Sequence, residues 1–257
     1  MERRHMQLID THAHLEDVQN LKEAITKAEE AGVIAIITMG SSYRANLWAL
    51  RESRRYEREG LRIYPALGVH PWNVNDSDLG EALKFVKENV DEAYAVGEIG
   101  LDYWYRGVRK NPEKRELQRR LFVELLELAR DHGKPVSIHS RGAWRDCVDL
   151  VIKSGIERAV FHWFSGPQDA LEDLLRHGYY VSATPAVAYS REHRRVVMNT
   201  PLDRLLLETD SPVEYRGVVS EPAHLLRTLS EVAILKGAEK NVIAKKTTEN
   251  ARRLFRI

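Results

Sequence analysis

The chain has 257 residues, with 39 Lys and Arg against 38 Asp and Glu and a formal net charge of +1. No global basic field marks it for nucleic acid, so any anion binding must be local. A single cysteine, Cys147, excludes an intrachain disulfide, and no apolar run approaches the ~18 residues of a membrane span.

The N-terminal charges are followed by no apolar stretch of signal-peptide length. Together these features predict a cytoplasmic protein with no membrane segment. The hydrophobic fraction of 43% suffices for a large core. The length suits one barrel of eight strand–helix units.

In chain order, Gln7 to Thr11 reads as the first strand. It opens Ile9-Asp10-Thr11-His12-Ala13-His14, where two histidines two apart on extended chain face the same side. Leu21, Ile25 and Ala28 share a helical face, and Gly32 closes that helix. Residues 33 to 39, VIAIITM, are an unbroken apolar run, as expected for a strand covered on both faces. A helix from Tyr43 to Glu59 follows, then a third strand over 61–68. Leu79, Leu83, Val86 and Val90 mark an amphipathic helix. Ala93 to Val96 is strand four, running into Gly97-Glu98. A long basic loop follows. The helix after it carries Leu117, Leu121, Leu125 and Leu128 in register and ends at Gly133. Strands five to eight begin at Pro135 and span 159–162, 179–184 and 204–210. Helices near Glu221–Leu235 and Glu239–Leu254 close the chain.

This alternation predicts a parallel sheet, and eight units in this length predict a (β/α)8 TIM barrel forming one domain over 1–257. Candidate ligands stand at or just past strand ends: His12, His14, Glu98, His139 in VSIHSR, His162 in VFHWFSG and Asp210 in LLETDSP. That is where TIM-barrel active sites lie. Singly each has a bland reading. His162 beside Trp163 reads as a packed histidine, and Glu98 and Asp210 read as helix N-caps. As a set they need a shared cation, because burying unpaired carboxylates is costly. Imidazole and carboxylate without thiolate suits Zn, Mn, Mg, Fe or Ni. Six ligands exceed one open four-coordinate site and suit two divalent metal ions sharing a carboxylate.

The ordered segments IDTHAHL, GVHPW, GEIGLDY, IHSR, FHWFSG and ETDSP resemble the TatD-type metal-dependent deoxyribonucleases, within the amidohydrolase-like TIM barrels. The likeness runs from about residue 8 to 255, including NARRLF. It implies that His12, His14, Glu98 and Asp210 serve one metal. Glu98, His139 and His162 then serve the other, with Glu98 bridging. It marks His70 of GVHPW as a contact for substrate phosphate, the alternative being a buried hydrogen-bonding histidine. The pattern departs after ETDSP, where VEYRGVVSEP carries Ser220 in place of an expected Asn, and at VSATPAV. Both departures bear on substrate preference.

Two basic segments flank the expected mouth. One holds Arg106, Arg109, Lys110, Lys114, Arg115, Arg119 and Arg120; the other holds Arg191, Arg194 and Arg195. Such clusters track a phosphate backbone or form a solvated helix start, the reading favoured for Arg119 and Arg120. Tyr103, Trp104 and Tyr105 stack on bases or plug the mouth. The expected activity is phosphodiester hydrolysis, with DNA, as single strands or ends, as the partner and no obligate protein partner. Asp210 and Glu98 are the catalytic residues, Asp210 as general base. Arg141, Arg109 and Lys110 join His70 in substrate binding. The alternatives are a C–N, ester or lactone hydrolase on a small molecule, and a non-catalytic metal-binding protein.

Overall fold

A computed structural model of the chain describes residues 6–257. Eight parallel strands follow one another in space in chain order: β1 Leu8–Ala13, β2 Val33–Met39, β3 Arg62–Leu67, β4 Ala95–Gly100, β5 Val136–His139, β6 Ala159–Phe161, β7 Tyr180–Ala183 and β8 Leu205–Leu207. The helices between them are α1 Leu21–Glu30, α2 Tyr43–Arg51, α3 Leu79–Asn89, α4 Pro112–Asp131, α5 Trp144–Lys153, α6 Gln168–Arg176 and α7 Arg191–Asn199. After β8 come a short hairpin, β9 Glu214–Tyr215 and β10 Val218–Val219, then α8 Leu225–Lys236 and α9 Lys240–Phe255. The barrel closes between its first and last strands just past β8. There Asp210 N–H donates to His12 O at 2.9 Å and His14 N–H to Ser211 O at 2.7 Å. Among the described residues no helix is long and apolar enough to cross a membrane.

Local chemistry explains the element ends. Ser42 caps α2 through its Oγ, and Asn111 caps α4 just before Pro112, whose missing N–H costs nothing at that position. Gly32 lies at φ +86°, and a Cβ there would meet Met6 O at 2.3 Å, so the turn into β1's neighbour requires glycine. The hairpin turns on Arg216 and Gly217, both at positive φ, the signature of a two-residue type I′ turn.

The barrel interior holds Ile9, Ile37, Met39, Val160 and Leu206, and α9 completes it with Ala251, Leu254 and Phe255. A second layer packs the helices on the outer face of the sheet, with Phe122, Leu125, Val148 and Phe161 fully buried.

Several elements differ from expectation. The helix from Tyr43 stops at Arg51, and a 3₁₀ turn over Ser53–Tyr56 follows. Ser53 bonds back to Ala49 O, and the Glu57 carboxylate turns to the Ile63 N–H. Strand four runs to Gly100, so Glu98 lies within it and is no helix cap. Strands six and eight are shorter, leaving His162 and Asp210 just past their ends. Asp210 caps no helix either, because the next helical turn begins only at Pro222.

Candidate metal centre

The six candidate ligands and His70 converge at the C-terminal end of the barrel. The side chain of Glu98, a residue only 2% exposed, stands at the centre. Its Oε2 lies 3.4 Å from His12 Nε2 and 3.2 Å from His14 Nε2. Its Oε1 lies 2.8 Å from His139 Nδ1 and 3.0 Å from His162 Nε2. Asp210 Oδ1 joins the first group, 3.6 Å and 3.7 Å from the same His12 and His14 nitrogens. One carboxylate therefore divides the donors into two sets, one per oxygen.

The spacing fits cations. Donors each about 2.1 Å from an ion sit roughly 3.0–3.4 Å from one another. His12 Nε2 and His14 Nε2 are 3.3 Å apart, and His139 Nδ1 and His162 Nε2 are 3.4 Å apart. The outer nitrogens are already engaged. His139 Nε2–H donates to Asp102 Oδ2 at 3.0 Å, His162 Nδ1–H donates to Glu208 Oε1 at 3.3 Å, and His12 Nδ1 bonds Ser137 Oγ at 3.2 Å. The two carboxylate contacts set the tautomers of His139 and His162 so that their inner nitrogens present lone pairs. Converging lone pairs and a carboxylate oxygen repel unless a positive charge lies among them.

The protein neighbours alone draw protons to that role. Burial pushes Glu98 up, but His70, His162 and His12 outweigh it and hold the carboxyl well below its usual range. Burial likewise pushes His14 down, yet its bond to Glu98 lifts it to about 9. His162 is raised well above its ordinary value despite burial, through Glu98 and Glu208. Divalent metal ions would displace these protons.

His70 differs from the others. Its Nε2 faces Glu98 Oε1 at 3.4 Å, but its Nδ1 accepts from Trp72 N–H at 3.1 Å. Burial holds its pKa down to about 4, so the ring is neutral. With Nδ1 accepting, the proton sits on Nε2, and the ring offers the site a hydrogen-bond donor in place of a lone pair.

Around this centre the predicted substrate contacts are spread along a rim. Arg141 is half-exposed, with Nε on Asp102 Oδ2 at 2.9 Å and Cζ 5.2 Å from the Trp72 ring centroid. Arg106, Arg109 and Lys110 are exposed, and no carboxylate comes within ion-pair distance of them among the described residues. Val108, buried beneath them, pins that loop. Arg119 instead pairs with Asp146 at 2.6 Å. Arg195 donates to Gly166 O and Arg194 to Val187 O, both holding loops at the mouth.

Two residues the sequence reading passed over matter here. Asp102 is fully buried and accepts from Trp72 Nε1, His139 Nε2, Arg141 Nε and the Trp104 and Tyr105 N–H groups. Glu208, also fully buried, holds His162 and the Trp163 N–H. Both stand inside the quoted GLDY and ETD segments, and each is a carboxylate beside an apolar strand, which was the available signal.

The sequence pattern of a family described as TatD related DNase matches residues 9–256. Human deoxyribonuclease TATDN3 is 30% identical, the match covering 96% of this chain and 94% of that protein. The uncharacterized metal-dependent hydrolase YabD of Bacillus subtilis is 33% identical, covering 97% and 99%. The crystal structure of YjjV, a TatD homolog from Escherichia coli, superposes with a TM-score of 0.87 at 26% identity, covering 98% of this chain and 99% of that one.

Proposed function

Because the chain belongs to the TatD-related DNase family of metal-dependent hydrolases, we propose that it hydrolyses phosphodiester bonds in DNA, taking single strands or ends. The carrying observation is the division of donors by Glu98: two nitrogens meet one oxygen and two meet the other. That supports two divalent ions of the Zn, Mn, Mg, Fe or Ni class. His12, His14, Glu98 and Asp210 would hold one, and Glu98, His139 and His162 the other. When bound, such a pair supplies Lewis acidity to a phosphoryl group and lowers the pKa of water.

The remaining work falls to side chains. Asp210 accepts the proton of the attacking water, as general base. His70 donates its Nε2–H to a phosphate oxygen. The Arg141 guanidinium, tied to Asp102 through Nε, offers its Nη groups to the same anion. Arg109 and Lys110 hold the flanking backbone. Asp102 and Glu208 keep His139 and His162 turned toward Glu98.

The test is turnover of labelled single-stranded oligonucleotides, beside amide, ester and lactone substrates, before and after chelation. Cleavage of DNA lost on chelation and restored by added metal is expected. DNA left intact while an amide or lactone turns over would overturn the reading.

A further inference from the structure

An aromatic surface beside the centre is left unused by the hydrolytic chemistry. The Trp72 and Tyr105 rings stack with centroids 5.1 Å apart and planes 16° apart. They come from different loops, after β3 and after β4, and stay 40% and 37% exposed. Neither is loosely held. Trp72 Nε1–H donates to Asp102 Oδ2 at 2.6 Å, and the Tyr105 N–H donates to Oδ1 at 2.9 Å. The same Oδ2 accepts from His139 and from Arg141. One buried carboxylate thus sets a metal-facing histidine, a guanidinium and a pair of rings in a single frame. The His70 and Trp72 ring centroids are 4.7 Å apart. The platform begins where the donors suited to phosphate end.

A ligand with an anion on one side and a flat π-face on the other is a nucleotide. We propose that Trp72 and Tyr105 form a stacking platform for the nucleobase adjoining the scissile phosphate, with Arg141 between ring and phosphate. The proposal rests on the nuclease reading above. Stacking reads a π-face and not a base edge, so the platform accepts all four bases.

The test removes the base and the ring in turn. Oligonucleotides with one abasic residue at successive positions are compared with intact strands, on wild type, Tyr105→Ala and Tyr105→Phe. In the wild type, an abasic residue at the position next to cleavage lowers kcat/KM about tenfold, 1.4 kcal/mol. In Tyr105→Ala the intact strand falls by the same factor, and base removal costs nothing more. Tyr105→Phe keeps the ring and restores the wild-type pattern, which a merely structural loss would not do. The same cycle is read as Kd from tryptophan quenching in metal-free protein. Additive losses, or no position sensitive to base removal, overturn the platform. If wild type with metal leaves all DNA uncut, the nuclease reading fails instead, and the Kd cycle alone then decides the platform.

Discussion

The Asn46 side chain, carried by α2, grips the backbone of Gly68 from both ends: Nδ2–H donates to Gly68 O at 2.7 Å, and Oδ1 accepts from Gly68 N–H at 2.9 Å. Gly68 is the step between β3 and His70, and it lies against β4. A Cβ on it would come within 2.7 Å of Gly97 C and 2.8 Å of Glu98 O. Asn46→Ala leaves two buried backbone groups unpaired, which costs about 3 kcal/mol. The expected readout is a fall in Tm of roughly 6–12 °C. Gly68→Ala presses on the backbone that carries Glu98, and loss of activity is expected to exceed loss of stability.

Glu208→Gln removes the charge behind His162 while keeping its shape. Outer carboxylates of this kind are worth ~10–100-fold in metal affinity. Competition with a chromophoric chelator is expected to show that loss at one of two sites, with the circular dichroism spectrum unchanged. Two sites weakened equally would mean that Glu208 supports the barrel end and not His162.

Asp210→Asn is expected to lower kcat by ~10²–10⁴-fold. Asp210 sits at φ +50°, a conformation asparagine adopts at least as readily as aspartate. The fold is therefore retained, and Tm within a few degrees of wild type is the control. Activity within about threefold of wild type would rule out the proton-accepting role.

His193, hydrogen-bonded to none of the candidate ligands, predicts an acid limit. It is fully buried, its Nδ1–H donates to Phe164 O at 3.0 Å, and its Nε2 accepts from Thr184 N–H at 3.1 Å. Burial lowers its pKa from 6.5 to about 4. The unfolded chain takes up a proton below pH 6.5 that the folded chain refuses until about 4. This stability is present above that range and is lost as pH falls through it, by about 3 kcal/mol. In urea titrations from pH 7.5 to 4, wild type is expected to lose that much more than His193→Gln.

Arg109→Ala with Lys110→Ala tests the basic loop. Each lost phosphate contact flattens the salt dependence of single-strand binding by about 0.7 units, so the pair is expected to flatten it by about 1.4. An unchanged slope would make this loop a solvated surface and shift weight to a small-molecule substrate.

Strands were legible because β-branched runs such as VIAIITM suit a strand covered on both faces, and the cluster at the barrel end because its six candidate residues each stand in or just past such a run. The supporting residues were not. Asp102 and Glu208 orient histidines far off in sequence, His139 for one and His162 for the other, and spacing within a strand carries no trace of that. The break after Arg51 was hidden for a similar reason. Helical periodicity continues past it, and what ends α2 is competition from Ser53 and Glu57.

The α9 plug has a consequence for how the chain is made. Thr248 Oγ1–H donates to Gln7 O at 2.7 Å, across 241 positions of sequence, and Leu254 and Phe255 fill the bottom of the barrel against Ile9 and Ala35. β1 emerges from the ribosome before the other seven strands, yet its floor arrives only with α9. At ~5–20 residues per second, the histidines of β1 wait roughly 10–50 s for a finished barrel around them. Over that interval the apolar inner faces of the strands already made stand open, so a truncation removing 248–257 is expected to divert the nascent chain to chaperones and aggregates before any metal can be held.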